Sequence, residues 1–166
     1  MAASGSPLTI FTGFVPGVGE VSGTGFVFNQ RPNRVAGEPC RASGGPKEQW
    51  LNPRAFTLNG FALGTFGSAG RGICEGPGTF QVDLALYKNV QLGRRLRAQL
   101  RFEVFNAFNH DQFLGLDTTM DPLSVTLDAP LESASKVIDS QLPLSFGQVT
   151  KVRDPRQAQF GLKFIF

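Results

Sequence analysis

The chain is poor in the residues on which most catalytic and metal sites depend. Its 166 residues include one His, one Trp, one Tyr and two Cys, and only 17% are charged. No stretch approaches the roughly 18 to 20 unbroken apolar residues of a membrane-spanning helix. The net charge is only +3 and the arginines are spread along the chain, whereas a nucleic-acid surface shows clustered Lys and Arg. We therefore expect neither a helical membrane protein nor a nucleic-acid partner.

No combination of side chains indicates an enzyme. His110 is the single histidine, and Asp111 beside it supplies neither a catalytic triad nor a metal shell. The Gly-rich run 64–70 lacks the Lys-Ser/Thr ending of a phosphate-binding loop. The sequence predicts no catalytic residue, no metal site and no cofactor.

The two cysteines leave two states open. Cys40 and Cys74 both fall in Gly/Pro-rich segments, where they could close a disulfide in a surface loop in an oxidising compartment. Two free thiols fit the sequence equally well. Without a nearby cluster of His or Asp, the pair is a poor zinc site.

What the chain does have is a period-2 pattern of apolar and polar residues. With 16 Phe, 20 Gly and 11 Pro, the composition favours strands separated by turns and predicts an all-β fold. Three segments alternate, at 79–90, 95–106 and 156–166, and the first two are joined by a short Gly-containing turn, which predicts an antiparallel hairpin. Their apolar rows are Phe80, Val82, Leu84 and Leu86; Leu96, Ala98, Leu100, Phe102 and Val104; and Ala158, Phe160, Leu162, Phe164 and Phe166.

Alternation alone suits either of two architectures. One is a soluble all-β binding or structural domain, whose apolar face meets a core. The other is a transmembrane barrel, whose apolar face meets lipid. Strands of about 10 residues match a tilted membrane strand. A long connection (13–78), a tight turn and a second long connection (107–155) match long external loops alternating with short periplasmic turns. We therefore predict an antiparallel meander that forms part of an incomplete transmembrane barrel.

The N-terminal segment fits this picture only in part. Residues 1–12 end in a β-prone run and predict a further strand. The first residues lack the basic and apolar regions of a secretory signal. We expect the chain to be either soluble or a piece of a longer protein.

Two motifs then point to a known family. Residues 101–110, RFEVFNAFNH, followed by Phe113, resemble a stretch near the end of TonB-dependent receptors, especially those of the Oar-like, carboxypeptidase-regulatory-domain type common in acidobacteria. Residues 146–150, FGQVT, and 153–163, RDPRQAQFGLK, resemble their closing segment. Asp111 departs from the usual Pro after the histidine. Residues 31–33 (RPN), 67–71 (GSAGR) and 76–78 (GPG) also fit the family's pattern, so the motifs span most of the chain in the family's order.

The resemblance implies a fragment of an outer-membrane receptor that actively imports a scarce nutrient. Implied partners are outer-membrane lipid, the barrel-assembly machinery, the remaining barrel and plug of the same receptor, and TonB through that plug. The alternating C-terminal residues resemble an assembly signal, and polar residues of the middle strand are candidates for lining the lumen. The candidate residues are Phe160, Leu162, Phe164 and Phe166 for assembly, and Arg97, Gln99, Arg101 and Glu103 for the lumen.

Overall fold

The computed structural model describes residues 1–12, 30–121, 124–130, 133–141 and 143–166. These residues form short and long strands with a single 3-10 turn at Pro53–Ala55, so the predicted all-β fold is confirmed. Among them, no helix is long and apolar enough to cross a membrane. The strands are β1 (Ala2–Ala3), β2 (Pro7–Leu8), β3 (Asn33–Arg34), β4 (Phe56–Thr57), β5 (Phe61–Ala62), β6 (Cys74–Glu75), β7 (Thr79–Phe80), β8 (Leu84–Gln91), β9 (Arg97–Phe105), β10 (Phe113–Leu116), β11 (Ser124–Leu127), β12 (Lys136–Gln141), β13 (Val149–Val152) and β14 (Gln157–Ile165).

The chain divides into two compact units. The first, which we call the sheet unit, contains 1–4, 78–113 and 152–166. The second, the loop unit, contains 5–77 and 114–151. The long strands lie in the sheet unit, and the loop unit is built from short pairs.

The sheet unit is organised around three antiparallel strands in the order β14-β9-β8. The β8–β9 hairpin closes through the amides of Leu92 and Gly93, which donate to the carbonyl of Leu96 at 2.9 and 3.2 Å. The tight turn predicted from the sequence is therefore present. Within the described residues, the outer edges of β8 and β14 have no strand beside them, and the barrel is not closed.

These strands are shorter than the sequence predicts. The expected strand 79–90 is interrupted at 81–83, so that Thr79–Phe80 pairs with Ala2–Ala3 and β8 begins only at Leu84. At the interruption, Asp83 uses a side-chain oxygen to accept a hydrogen bond from the backbone amide of Asn106 (2.9 Å). At this point the amide bonds to a side-chain oxygen instead of a carbonyl of a paired strand, as is common for Asp at turns.

The prediction of one strand over 1–12 is wrong. Ala2–Ala3 and Pro7–Leu8 are separate strands, and the second pairs with Cys74–Glu75. The change of partner occurs around Gly5, where a Cβ would lie only 1.8 Å from the carbonyl oxygen of Gly76. Only glycine permits this approach of the two backbones.

The two predicted long connections are not open loops where the structure describes them. Residues 13–29 of the first connection lie outside the described residues. The rest of the loop unit has its own buried cluster, formed by Ile10, Leu51, Ala55, Phe56, Ala69, Cys74, Met120 and Phe146. Because these residues come from both connections, and Ile10 from the segment before them, these parts of the chain share one core. Period-2 analysis missed this core because its members follow no regular spacing.

Candidate functional site

The register of the three long strands brings most of the predicted apolar residues to one face of the sheet; Phe80, Val82, Leu96 and Phe166 lie outside the paired residues of these strands. Directly opposed residues share a face. Across the sheet, β8, β9 and β14 align in four rows, which are Leu84–Val104–Ala158, Leu86–Phe102–Phe160, Lys88–Leu100–Leu162 and Val90–Ala98–Phe164. The apolar face therefore holds eleven apolar side chains and one lysine.

Most of this face is exposed instead of packed on a core, although Ala98 is buried. Leu86 is 67% exposed, Phe102 is 47% exposed and Phe160 is 70% exposed. A soluble protein buries such a contiguous apolar surface or uses it for contact. The apolar residues of the three strands therefore do not form a closed water-soluble core.

The length of the strands suits a membrane. Nine residues of β9 extend about 30 Å along the strand. At the 35–45° tilt of barrel strands this covers roughly 23 Å of thickness, close to the ~25 Å apolar band of outer-membrane barrels.

The opposite face is polar and its side chains bond to one another. The phenol of Tyr87 donates to one carboxylate oxygen of Glu103, and the side-chain amide of Gln159 donates to the other. These bonds link β8, β9 and β14 through one carboxylate.

A second set of polar contacts runs beside the first. The side-chain amide of Gln99 donates to Oδ1 of Asn89 (3.0 Å), and Nε of Arg101 donates to Oε1 of Gln99 (2.8 Å). The guanidinium carbon of Arg101 lies 5.4 Å from the centroid of the Tyr87 ring, within range of a cation–π contact. The polar face is thus cross-linked by side chains as well as by the ladder.

The structure places each predicted site residue on a definite surface. Arg97, Gln99, Arg101 and Glu103 share the polar face, whereas Phe160, Leu162 and Phe164 lie on the apolar face of the edge strand β14, which Phe166 follows. The analysis of single residues missed Tyr87, Asn89 and Gln159 as members of the polar network. Their positions in the alternation would have identified them, since each occupies the polar phase of its strand.

Two of the motif segments meet at one end of the sheet. Asn106 and Asn109 both adopt φ +50°, the left-handed region that Asn tolerates better than most residues. Oδ1 of Asn106 accepts a bond from the amide of His110 (3.0 Å), and Oδ1 of Asn109 accepts one from the amide of Arg156 (3.0 Å). The FNAFNH segment therefore turns the chain after β9 and holds the chain just before β14.

The neighbouring arginine strengthens this corner. The backbone amide of Arg153 donates to the carbonyl of Gln112 (2.8 Å), and its guanidinium donates to Oε1 of Gln81 (3.1 Å). Gln112 is buried and donates through its side chain to the carbonyl of Phe80 (3.0 Å). The strand ends opposite the hairpin turn are fixed by side-chain bonds.

His110 lies at this corner without metal-binding partners. Its ring is 6.1 Å from that of Phe80 in an edge-to-face arrangement. Across the part of the chain that the structure describes, no group of three or more His, Cys, Asp or Glu side chains is placed to hold a metal ion.

In the loop unit, Cys40 and Cys74 form a disulfide that closes a 34-residue separation. Cys74 belongs to the buried cluster, and Cys40 packs against it together with Trp50. The indole of Trp50 donates to the carbonyl of Glu75 (3.0 Å), beside the disulfide. Of the two states that the sequence left open, the structure has the disulfide.

The comparison with known families agrees with this amphipathic antiparallel sheet and its exposed apolar face. The sequence model of the outer membrane beta barrel domain family matches residues 1–159. The chain belongs to this family. Membership makes the three strands part of an outer-membrane barrel wall. No curated protein and no solved structure matches the chain.

Proposed function

We propose that the chain is part of a TonB-dependent outer-membrane receptor that imports a scarce nutrient such as a siderophore, a cofactor or an oligosaccharide. It would contribute a section of barrel wall, external loops and the C-terminal assembly strand. The observation that carries this proposal is the three-stranded sheet, with an exposed apolar face on one side and a bonded polar face on the other. In a barrel this polar face, with Arg101 and Glu103, lines the lumen.

The end of the sheet where the two motif segments meet supports a TonB-dependent receptor over other kinds of barrel protein. The two stretches that resemble TonB-dependent receptors are well separated along the chain, yet they contact each other through Asn109 and Arg156, which are 47 positions apart. A contact between them gives a physical reason for both stretches to occur together. It fixes where the last strand starts against β9.

The topology supports an external position for the long connections. The long connections leave the sheet at the end marked by Leu84, Val104 and Ala158, and the tight β8–β9 turn lies at the other end. In outer-membrane barrels the short turns are periplasmic and the long loops are external. A disulfide in the loop unit also suits an oxidising exterior.

The alternative of a soluble all-β binding or structural domain is disfavoured. Such a domain would bury the residues that are exposed here, including Leu86 and Phe160. We propose a transport role instead of a catalytic one. The proposed partners are outer-membrane lipid, the barrel-assembly machinery acting on β14, the rest of the barrel and plug, and TonB through the plug.

A test of the receptor proposal uses the genomic coding region and the protein it encodes. We expect in-frame sequence encoding a signal peptide, an energy-coupling box and a plug to precede the codon for Met1. The purified full-length product should bind the periplasmic domain of TonB, and deletion of the plug should abolish binding. An unrelated gene directly upstream, or a full-length barrel that ignores TonB, would contradict the proposal while leaving the barrel assignment intact.

A further inference from the structure

The hairpin-turn end of the sheet has an unusual distribution of charge. This end comprises residues 88–100, which include the turn, and residues 161–166 of the last strand. Neither segment contains an acidic side chain. The acidic side chains of the sheet unit lie toward the other end. The cations at the turn end are Lys88, Arg94, Arg95, Arg97 and Lys163.

These cations divide between the two faces. Arg97 and Lys163 occupy the polar phase, in register with Gln91 and Asn89. Lys88 is in the apolar phase, in the row of Leu100 and Leu162, and it is exposed. Arg94 and Arg95 are exposed in the turn itself. Of these three, the register places only Lys88 on the apolar face, since Arg94 and Arg95 lie in the turn outside the paired residues. We group Lys88 with the two turn arginines as the lipid-side basic set, and Arg97 with Lys163 as a polar-side set of similar chemistry.

The position of Lys88 requires an explanation in a lipid-facing wall. It is the one charged side chain in the four apolar rows of the sheet. A charge facing the hydrocarbon is unfavourable, and a lysine reduces this cost by extending its ammonium toward the nearest interface. Three residues separate Lys88 from the end of β8 at Gln91, or roughly 8 Å of membrane depth after correction for tilt. An ammonium extended in this way would reach the same interface as the arginines of the turn.

We propose that Lys88, Arg94 and Arg95 bind the phosphate headgroup of an anionic phospholipid in the periplasmic leaflet. The acyl chains would lie along the apolar rows that contain Leu86 and Leu100. A phosphate complements the set because it accepts several charge-assisted hydrogen bonds from Lys and Arg. Clusters of basic residues at a membrane surface attract anionic lipids in this way. This inference rests on the barrel assignment and not on the nutrient or on TonB.

The experiment compares two charge-removing variants of the full-length barrel. The lipid-side triple variant is Lys88→Met with Arg94→Gln and Arg95→Gln, and the control is the polar-side double variant Arg97→Gln with Lys163→Met. Each protein in detergent is titrated with phosphatidylglycerol, and bound lipid is counted by native mass spectrometry. Phosphatidylethanolamine and lipopolysaccharide are run in parallel. Heat-modifiable migration on gels confirms that each barrel is folded.

At about a fivefold effect for each basic residue near the surface, the triple variant should bind phosphatidylglycerol on the order of 100-fold more weakly. The control should keep its affinity within about threefold, and Lys88→Arg alone should retain wild-type binding. Equal losses in both variants would mean nonspecific charge attraction and would overturn the proposal. Unchanged binding in the triple variant, or loss of lipopolysaccharide binding with phosphatidylglycerol unaffected, would overturn it as well.

Discussion

The two units handle apolar side chains in opposite ways. In the loop unit, Ile10 and Phe146 are almost fully buried, and a disulfide ties the core. In the sheet unit, Leu86 and Phe160 are mostly exposed although they are just as apolar. We propose that the difference arises from the solvent that each surface meets. Under our proposal, the loop unit folds in water, whereas the apolar face of the sheet faces lipid.

The largest expected effect comes from removing a large side chain from the buried core of the loop unit. Phe146 is 1% exposed and packs edge-on against Phe56 with ring centroids 6.1 Å apart. We expect Phe146→Ala to reduce the stability of the loop unit by about 3–5 kcal/mol, because it leaves a cavity. Trp50 is the single Trp of these 166 residues and packs in this unit, so in a full-length barrel that keeps only this Trp it reports the unit's unfolding by fluorescence during denaturant titration.

The matched control for this variant is Phe160→Ala on the lipid face. It should leave the Trp50 transition unchanged, because Phe160 belongs to the other unit. Equal shifts in both variants would show that the two units do not have separate cores.

Loss of the disulfide should have the next largest effect. Closing a loop of about 34 residues restricts the unfolded chain, and this is worth about 3–4 kcal/mol by the chain-entropy estimate. The double variant Cys40→Ala with Cys74→Ala should therefore lower the denaturant midpoint seen by Trp50. The heat-modifiable gel shift of the barrel should not change. A variant that loses that gel shift while Trp50 is unaffected would reverse our assignment of the disulfide to the loop unit.

Introducing a charge should distinguish the two faces of a single strand. Phe102 and Gln99 both lie in β9, on the apolar and polar faces respectively. We expect Phe102→Arg to destabilise the bilayer-inserted barrel by about 2–4 kcal/mol, the cost of an arginine facing the middle of the membrane. Gln99→Arg should cost well under half as much. The measurement is reversible folding of the full-length barrel into liposomes, and equal costs would contradict the assignment of faces.

The comparison between the units also shows what sequence can predict. In the sheet unit, period-2 alternation identified the faces of Leu86, Phe102 and Phe160 because neighbouring strands keep the same two-residue period. In the loop unit, the core joins Ile10 to Phe146 across most of the chain with no period. Such contacts leave no local pattern. The split of 1–12 at Gly5 was missed for the same reason, since its cause is the distant backbone of Gly76.

The candidate site was predictable to a similar degree. The polar phase of β9 gave Arg101 and Glu103, but it could not show that Tyr87 and Gln159 share the carboxylate of Glu103. That knowledge requires the register between strands. The bond between Asn109 and Arg156 likewise depends on how β14 aligns with β9.

The smallest expected effect concerns pH in the loop unit. Hydrogen bonds from the hydroxyl and amide of Ser135 hold the pKa of Asp128 below its ordinary value of 3.8. The folded state therefore favours the carboxylate, and this contribution is present above about pH 4 and is lost as the pH falls through 3.8 and below. Ser135→Ala should weaken the dependence of the Trp50 transition on acid. An unchanged acid dependence would mean that this bond does not affect stability.

The central claim is that one face of the sheet touches lipid tails and the other does not. Spin labels at Leu86→Cys and Phe102→Cys, with controls at Ala85→Cys and Gln99→Cys, should be placed in the full-length barrel in liposomes. Collisions with oxygen, which concentrates in lipid, and with a water-soluble nickel complex are then measured. Our account predicts that oxygen dominates at 86 and 102 and that the nickel complex is relatively stronger at 85 and 99. Equal ratios at neighbouring positions, or the reverse order, would contradict it.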